Sequence, residues 1–104
     1  VKIDRRGRSY ATWIVAGGDE EMSFDVTFDN SNWYPTEFVG VVTETFPDLG
    51  IVVTGLSIRV LVAGPDTEYW LGAIPLPLGT NKAKLRVTDA PEIIIQNAGS
   101  VTVT

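Results

Sequence analysis

Neither cysteine nor histidine occurs in this chain. Without thiols there is no disulfide framework and no thiolate metal site. Without imidazole, Ser-His-Asp and Cys-His catalysis and the usual zinc sites are excluded. Phosphate-binding turns of the P-loop or GxGxxG type are missing as well, so nucleotide chemistry has no foothold. No apolar run approaches the ~20 residues needed to cross a bilayer, and no membrane partner is expected. Sustained helical periodicity is also lacking. The first eight residues are basic but have no apolar stretch of the kind a secretory signal carries.

What the chain does have is alternation. Met22, Phe24, Val26 and Phe28 alternate with polar residues, as do Leu56, Ile58, Val60 and Val62, and later Ala83, Leu85 and Val87. A period of two places each set on one face of a strand. Looser strand-like stretches rich in valine, isoleucine, threonine and aromatics cover residues 10–16, 38–45, 50–54, 67–74, 92–96 and 100–104. Turn residues punctuate them, at Gly17-Gly18-Asp19, Asp29-Asn30-Ser31-Asn32, Pro47-Asp48, Gly64-Pro65-Asp66, Gly79-Thr80-Asn81, Asp89-Ala90-Pro91 and Asn97-Ala98-Gly99.

Eight or nine short strands so spaced predict an all-β, single-domain β-sandwich of jelly-roll or immunoglobulin-like type. At 104 residues the chain buries roughly two-thirds of its unfolded surface, which allows one thin core. The sandwich is expected over residues 9–104, preceded by a basic arm, residues 1–8, that is mobile in the free protein.

Charge is divided between those parts. The net charge is −5, yet residues 1–8 hold four basic residues and one acid, and the remainder holds four basic residues and twelve acids. So acidic a body repels nucleic acid, which leaves the arm as the only segment suited to it. Lys2, Arg5, Arg6 and Arg8 form a candidate docking arm for an acidic surface, and a plain solvated tail is the alternative.

Carboxylates are the only catalytic groups in quantity. A glycosidase-type pair could be drawn from Asp19, Glu20, Glu21, Asp25, Asp29, Glu37, Glu44, Asp48, Glu68 and Glu92. Such acids are ordinarily solvated strand and turn residues, and a sandwich this small offers little room for a deep cleft. The expectation is a protein that is not an enzyme. The Asp29–Asn32 loop fails the spacing of an EF-hand, with Ser31 and Trp33 at its third and fifth positions, so it reads as an Asx-rich turn. No metal and no cofactor are expected, with a surface calcium site at this loop or at Asp19-Glu20-Glu21 as the alternative.

Aromatics and prolines mark candidate contact surface. Trp33 and Tyr34 follow a polar loop, and Tyr69 and Trp70 fall on opposite faces if that stretch is a strand. Beside amides and acids such rings serve carbohydrate-binding modules, and equally Trp13, Trp33 and Trp70 suit a core or a subunit interface. In Ile74-Pro75-Leu76-Pro77-Leu78, alternating prolines cannot donate to a ladder, so the segment is an edge or polyproline-like stretch. Pro75, Leu76, Pro77 and Leu78 complete the candidate interface with the four rings.

Several strands are apolar on both faces, notably residues 38–42, 51–53 and 93–95, more than one two-layer sandwich can hide. The closing run from Leu85 to Thr104, LRVTDAPEIIIQNAGSVTVT, resembles the small β-sandwich accessory proteins of tailed-phage virions, those that decorate capsids or form fibre and tail parts. The resemblance implies a homo-oligomer, often a trimer, seated on a lattice of other virion proteins. It implies no catalytic residue.

Overall fold

In a computed structural model, which describes residues 1–17, 21–68 and 71–104, the protein is all-β. Among the described residues nine strands run in chain order: β1 Lys2–Ile3, β2 Arg8–Ala16, β3 Ser23–Thr27, β4 Tyr34–Pro35, β5 Glu37–Phe46, β6 Ile51–Ala63, β7 Ile74–Pro75, β8 Gly79–Asp89 and β9 Glu92–Val103. They form two sheets, one ordered β1-β9-β8-β3-β4 and the other β2-β6-β5, with β7 parallel to the end of β6.

The alternating residues become the core between the sheets. Phe24, Val26, Leu56, Ile58, Val60, Val62, Ala83 and Leu85 are buried, joined by Val101 and Val103. Polar neighbours on the same strands point outward, as the two-residue period requires.

Residues 1–8, expected to stand apart as an arm, pack onto the sandwich in the structure. Ile3 is a core residue, and β1 runs parallel to β9 with Ile3 opposite Val103. Thr102 and Thr104 donate their backbone N–H groups to Val1 and Ile3, and Arg5 donates to Thr104. Gly64 closes over the arm. A Cβ there would lie 2.4 Å from the Arg5 carbonyl oxygen, so only glycine fits. Thr67, itself buried, donates its hydroxyl to the Arg6 carbonyl. Charge made the arm look solvated; Val1 and Ile3 flanking Lys2 are a strand alternation that the charge hid.

Three strand readings also change. Residues 50–54 and 56–62 are one strand, β6, because Gly55 is not a break: an Ile14 methyl stands 2.9 Å from where its Cβ would be, so it permits close packing of β2. Residues 92–96 and 100–104 merge into β9, with Gly99 at φ 74° beside an irregularity opposite Lys82 and Lys84. The described part of 67–74 is loop until Ile74, with Gly72 at φ 75°. Tyr69 and Trp70 lie outside the described residues.

Candidate assembly surface

The strands differ in length, and the excess is what distinguishes this molecule. Strand β2 accompanies β6 from Ala63 to Gly55, and the Gly17 N–H still reaches the Thr54 carbonyl, so, among the described residues, 51–53 pair with β5 alone within the sheet. Strand β3 accompanies β8 only to Thr88, and β9 has no neighbour on its outer side until β1 at Thr102. The β5–β6 pair therefore projects as a two-stranded hairpin, whereas β8 passes β3 by Asp89 alone and the β8–β9 hairpin is open only along the outer edge of β9.

Both hairpins leave from one end. Ala16 of β2 is opposite Gly55 and Ser23 of β3 is opposite Thr88, and only residues 17–22 separate these positions along the chain. A shallow cleft between the two roots is lined by Val15, Met22, Val87 and Ile94. A second cleft, about 510 Å³, opens between the sheets beside Met22, Phe24, Phe38 and Leu56.

Register assigns the faces. On the β5–β6 hairpin, Val41, Thr43 and Thr45 with Val52 and Thr54 continue the core face of Leu56, while Phe46 and Ile51 lie on the other face. On the β8–β9 hairpin, Ile94 continues the core face of Leu85, and Ile93 and Ile95 lie outside. Val41, Leu49, Val52, Ile93, Ile94 and Ile95 are all more than half exposed, and Phe46 and Ile51 nearly so. Burying one such side chain fully is worth about 1.5–3 kcal/mol. Half-covering eight of them would contribute on the order of 10 kcal/mol, comparable to the whole stability of a small domain. Glu44, Asp48, Asp89 and Glu92 ring this surface, with no basic residue between Val41 and Thr54 or between Asp89 and Asn97.

The basic residues of the N-terminal segment sit at the far end. Lys2, Arg5, Arg6 and Arg8 are all exposed, at the ends of β6 and β9 away from the hairpin tips. Asp66 and Glu68 share a shallow depression with Arg6 and Arg8, which tempers the positive charge.

Trp33 is not an open stacking platform. The Arg86 guanidinium lies 4.4 Å from its ring centroid and holds Asp25 at 3.0 Å, while Tyr34 packs on the core. The other sheet repeats the device: Arg59 lies 3.9 Å over Tyr10 and pairs with Glu37 through two hydrogen bonds, at 2.9 and 3.3 Å. This pairing holds the Glu37 carboxyl below its ordinary pKa and raises that of Arg59.

The proline segment divides. Leu76 is buried in the core, so it is removed from the candidate interface, whereas Pro75, Pro77 and Leu78 are exposed. Its anchor is Asn81, a residue the sequence reading missed, whose buried amide donates to the carbonyls of Pro77, Gly79 and Val101. A lone asparagine in a turn signal gave no hint of this.

Asp29 is consumed by its own loop. Its carboxylate accepts from the backbone N–H groups of Ser31 and Asn32, the Asn32 amide and the Thr27 hydroxyl. These bonds to the charged form lower its pKa far below the carboxylate range. Asp19 and Glu20 lie outside the described residues. Among the described residues no three acids gather where a metal ion could be held, and no helix is long and apolar enough to cross a membrane.

No family model matches this chain, and no curated protein or solved structure matches it either.

Proposed function

We propose that this protein is a non-enzymatic structural subunit that oligomerises and builds into a larger protein assembly through its hairpin end. A phage virion is the setting the closing sequence suggests, with capsid decoration or another accessory role. The observation that carries the reading is the apolar end of the sandwich, where the projecting β5–β6 hairpin and the outer edge of β9 leave apolar side chains exposed on both sheet faces. A ribbon with one apolar face could lie along its own domain; one with two must be enclosed by something else. The acidic rim adds selectivity for a partner over an anionic membrane surface, which it repels. Lys2, Arg5, Arg6 and Arg8 give the opposite end a second surface, suited to an acidic neighbour in the same assembly.

The test is the solution mass of the purified protein against its 11.3 kDa chain mass. Multi-angle light scattering should find species above the monomer, and a Leu49→Ser, Val52→Thr, Ile95→Thr variant should shift them toward monomer with an unchanged circular dichroism spectrum. A variant that associates as strongly as the parent would overturn the hairpin assignment.

A further inference from the structure

We propose that β9 pairs antiparallel with β9 of a second copy across a two-fold axis, joining two five-stranded sheets into one. This rests on the assembly reading above and makes it specific.

The free edge comes first. Among the described residues, the outer side of β9 is engaged only in its C-terminal half: β1 pairs with Thr102 and Val103, the Val1 amino group reaches the Ser100 carbonyl, and the Trp13 indole takes the Ala98 carbonyl. Among the same residues, none pairs with the outer side of residues 92–97. Exposed edges are ordinarily blunted by proline, lysine, an inward charge or a bulge, and this segment, Glu-Ile-Ile-Ile-Gln-Asn, has none of these.

The segment is also complementary to itself. Antiparallel pairing centred on Ile94 sets Ile94 against Ile94, Ile93 against Ile95, and Glu92 against Gln96 of the second copy. Its only charge meets an amide, and its three isoleucines meet each other. Charge runs along the whole hairpin in the same sense, with Lys82 and Lys84 at the root and Asp89 and Glu92 at the tip. Antiparallel pairing keeps the two acidic tips apart, whereas parallel pairing stacks tip on tip.

Closure follows from the sheet's other edge. That edge is β4, two residues long and ending in Pro35, which has no N–H to donate. This sheet grows on one side only, and the contact ends as a closed pair. A two-fold contact is different from the three-fold ring implied by the sequence resemblance.

Because the chain has no cysteine, single-cysteine variants report the register cleanly. Under mild oxidation Ile94→Cys should form a disulfide dimer. Ile93→Cys should not pair with itself but should pair with Ile95→Cys in a mixture of the two. Should the Ile94 variant misfold, backbone amide exchange of unmodified protein serves instead, with protection of residues 92–97 rising with concentration. Efficient Ile93→Cys self-pairing would mean a parallel contact or a shifted register and overturn the proposal. Association with cross-linking only at Val41→Cys would place the contact on the other hairpin, overturning this proposal while sparing the assembly reading. A monomer at every concentration, with these amides unprotected, would reject a second copy as the occupant of this edge.

Discussion

The indole Nε1 of Trp13 donates to the carbonyl oxygen of Ala98 at 2.8 Å, across 85 residues of sequence and from one sheet to the other. It satisfies an edge carbonyl of β9 and fixes where the open part of that edge ends. Trp13 is thus an anchor within the molecule, one of the two roles its residue type suggested.

Replacing Trp13 with phenylalanine keeps most of the ring and removes the donor. The expected loss is about 1 kcal/mol, since a net hydrogen bond is worth roughly 0.5–1.5 kcal/mol. Urea denaturation measures it, and the same variant should extend the exchange-prone segment of β9 to include Ala98.

Core and hairpin isoleucines should behave oppositely. Ile58 is 1% exposed, and Ile58→Ala should cost about 2–5 kcal/mol through lost burial and the cavity left behind. Ile95→Thr on the hairpin should change monomer stability by no more than about 0.5 kcal/mol, the usual range for surface sites. Its effect should fall on association. Denaturation of dilute protein separates the two responses from self-association.

Those contrasts bear on how far the sequence could be read. The strict alternations at Met22–Phe28, Leu56–Val62 and Ala83–Val87 located three core strands, because a half-buried strand leaves a period-two trace. Excess apolar surface in residues 38–42, 51–53 and 93–95 was visible as well. Its location at one end was not, since that depends on β6 outrunning β2 and on which side of β9 lies at the sheet edge, relations between segments remote in sequence. Gly55 and Gly99 misled because a glycine inside a strand and a glycine in a turn look alike along the chain. Leu76 and Leu78 share a side by spacing, yet only Leu76 is covered by the body.

Arg86 is held between Trp33 and Asp25, both on the outer face of its sheet. An Arg86→Ala substitution should cost about 1 kcal/mol, the sum of a half-exposed cation-π contact and a partly screened ion pair. It should also change the fluorescence of Trp33, read in a Trp13→Phe background. If freeing the ring created measurable glycan binding, Arg86 would be masking a sugar platform; no binding is expected.

Acid should loosen the molecule in a defined window. Asp29 and Glu37 both have pKa values lowered by folding, Asp29 by its loop hydrogen bonds and Glu37 by Arg59. A group whose folded pKa is depressed stabilises above its unfolded pKa, and the contribution is lost as pH falls through the folded value. Stability should be level above about pH 5 and decline toward pH 2, given ordinary carboxylate pKa values near 4. Asp29→Ala should lower the plateau and flatten the acid side of the curve, measured as urea midpoint against pH.

The most direct measurement is light scattering of the purified protein over a wide concentration range, beside the Leu49→Ser, Val52→Thr, Ile95→Thr variant. A mass that rises above 11.3 kDa with concentration, and that the hairpin substitutions return toward monomer, is the predicted result. A monodisperse 11.3 kDa monomer at every concentration, identical in parent and variant, would contradict the claim that this end of the sandwich exists to build.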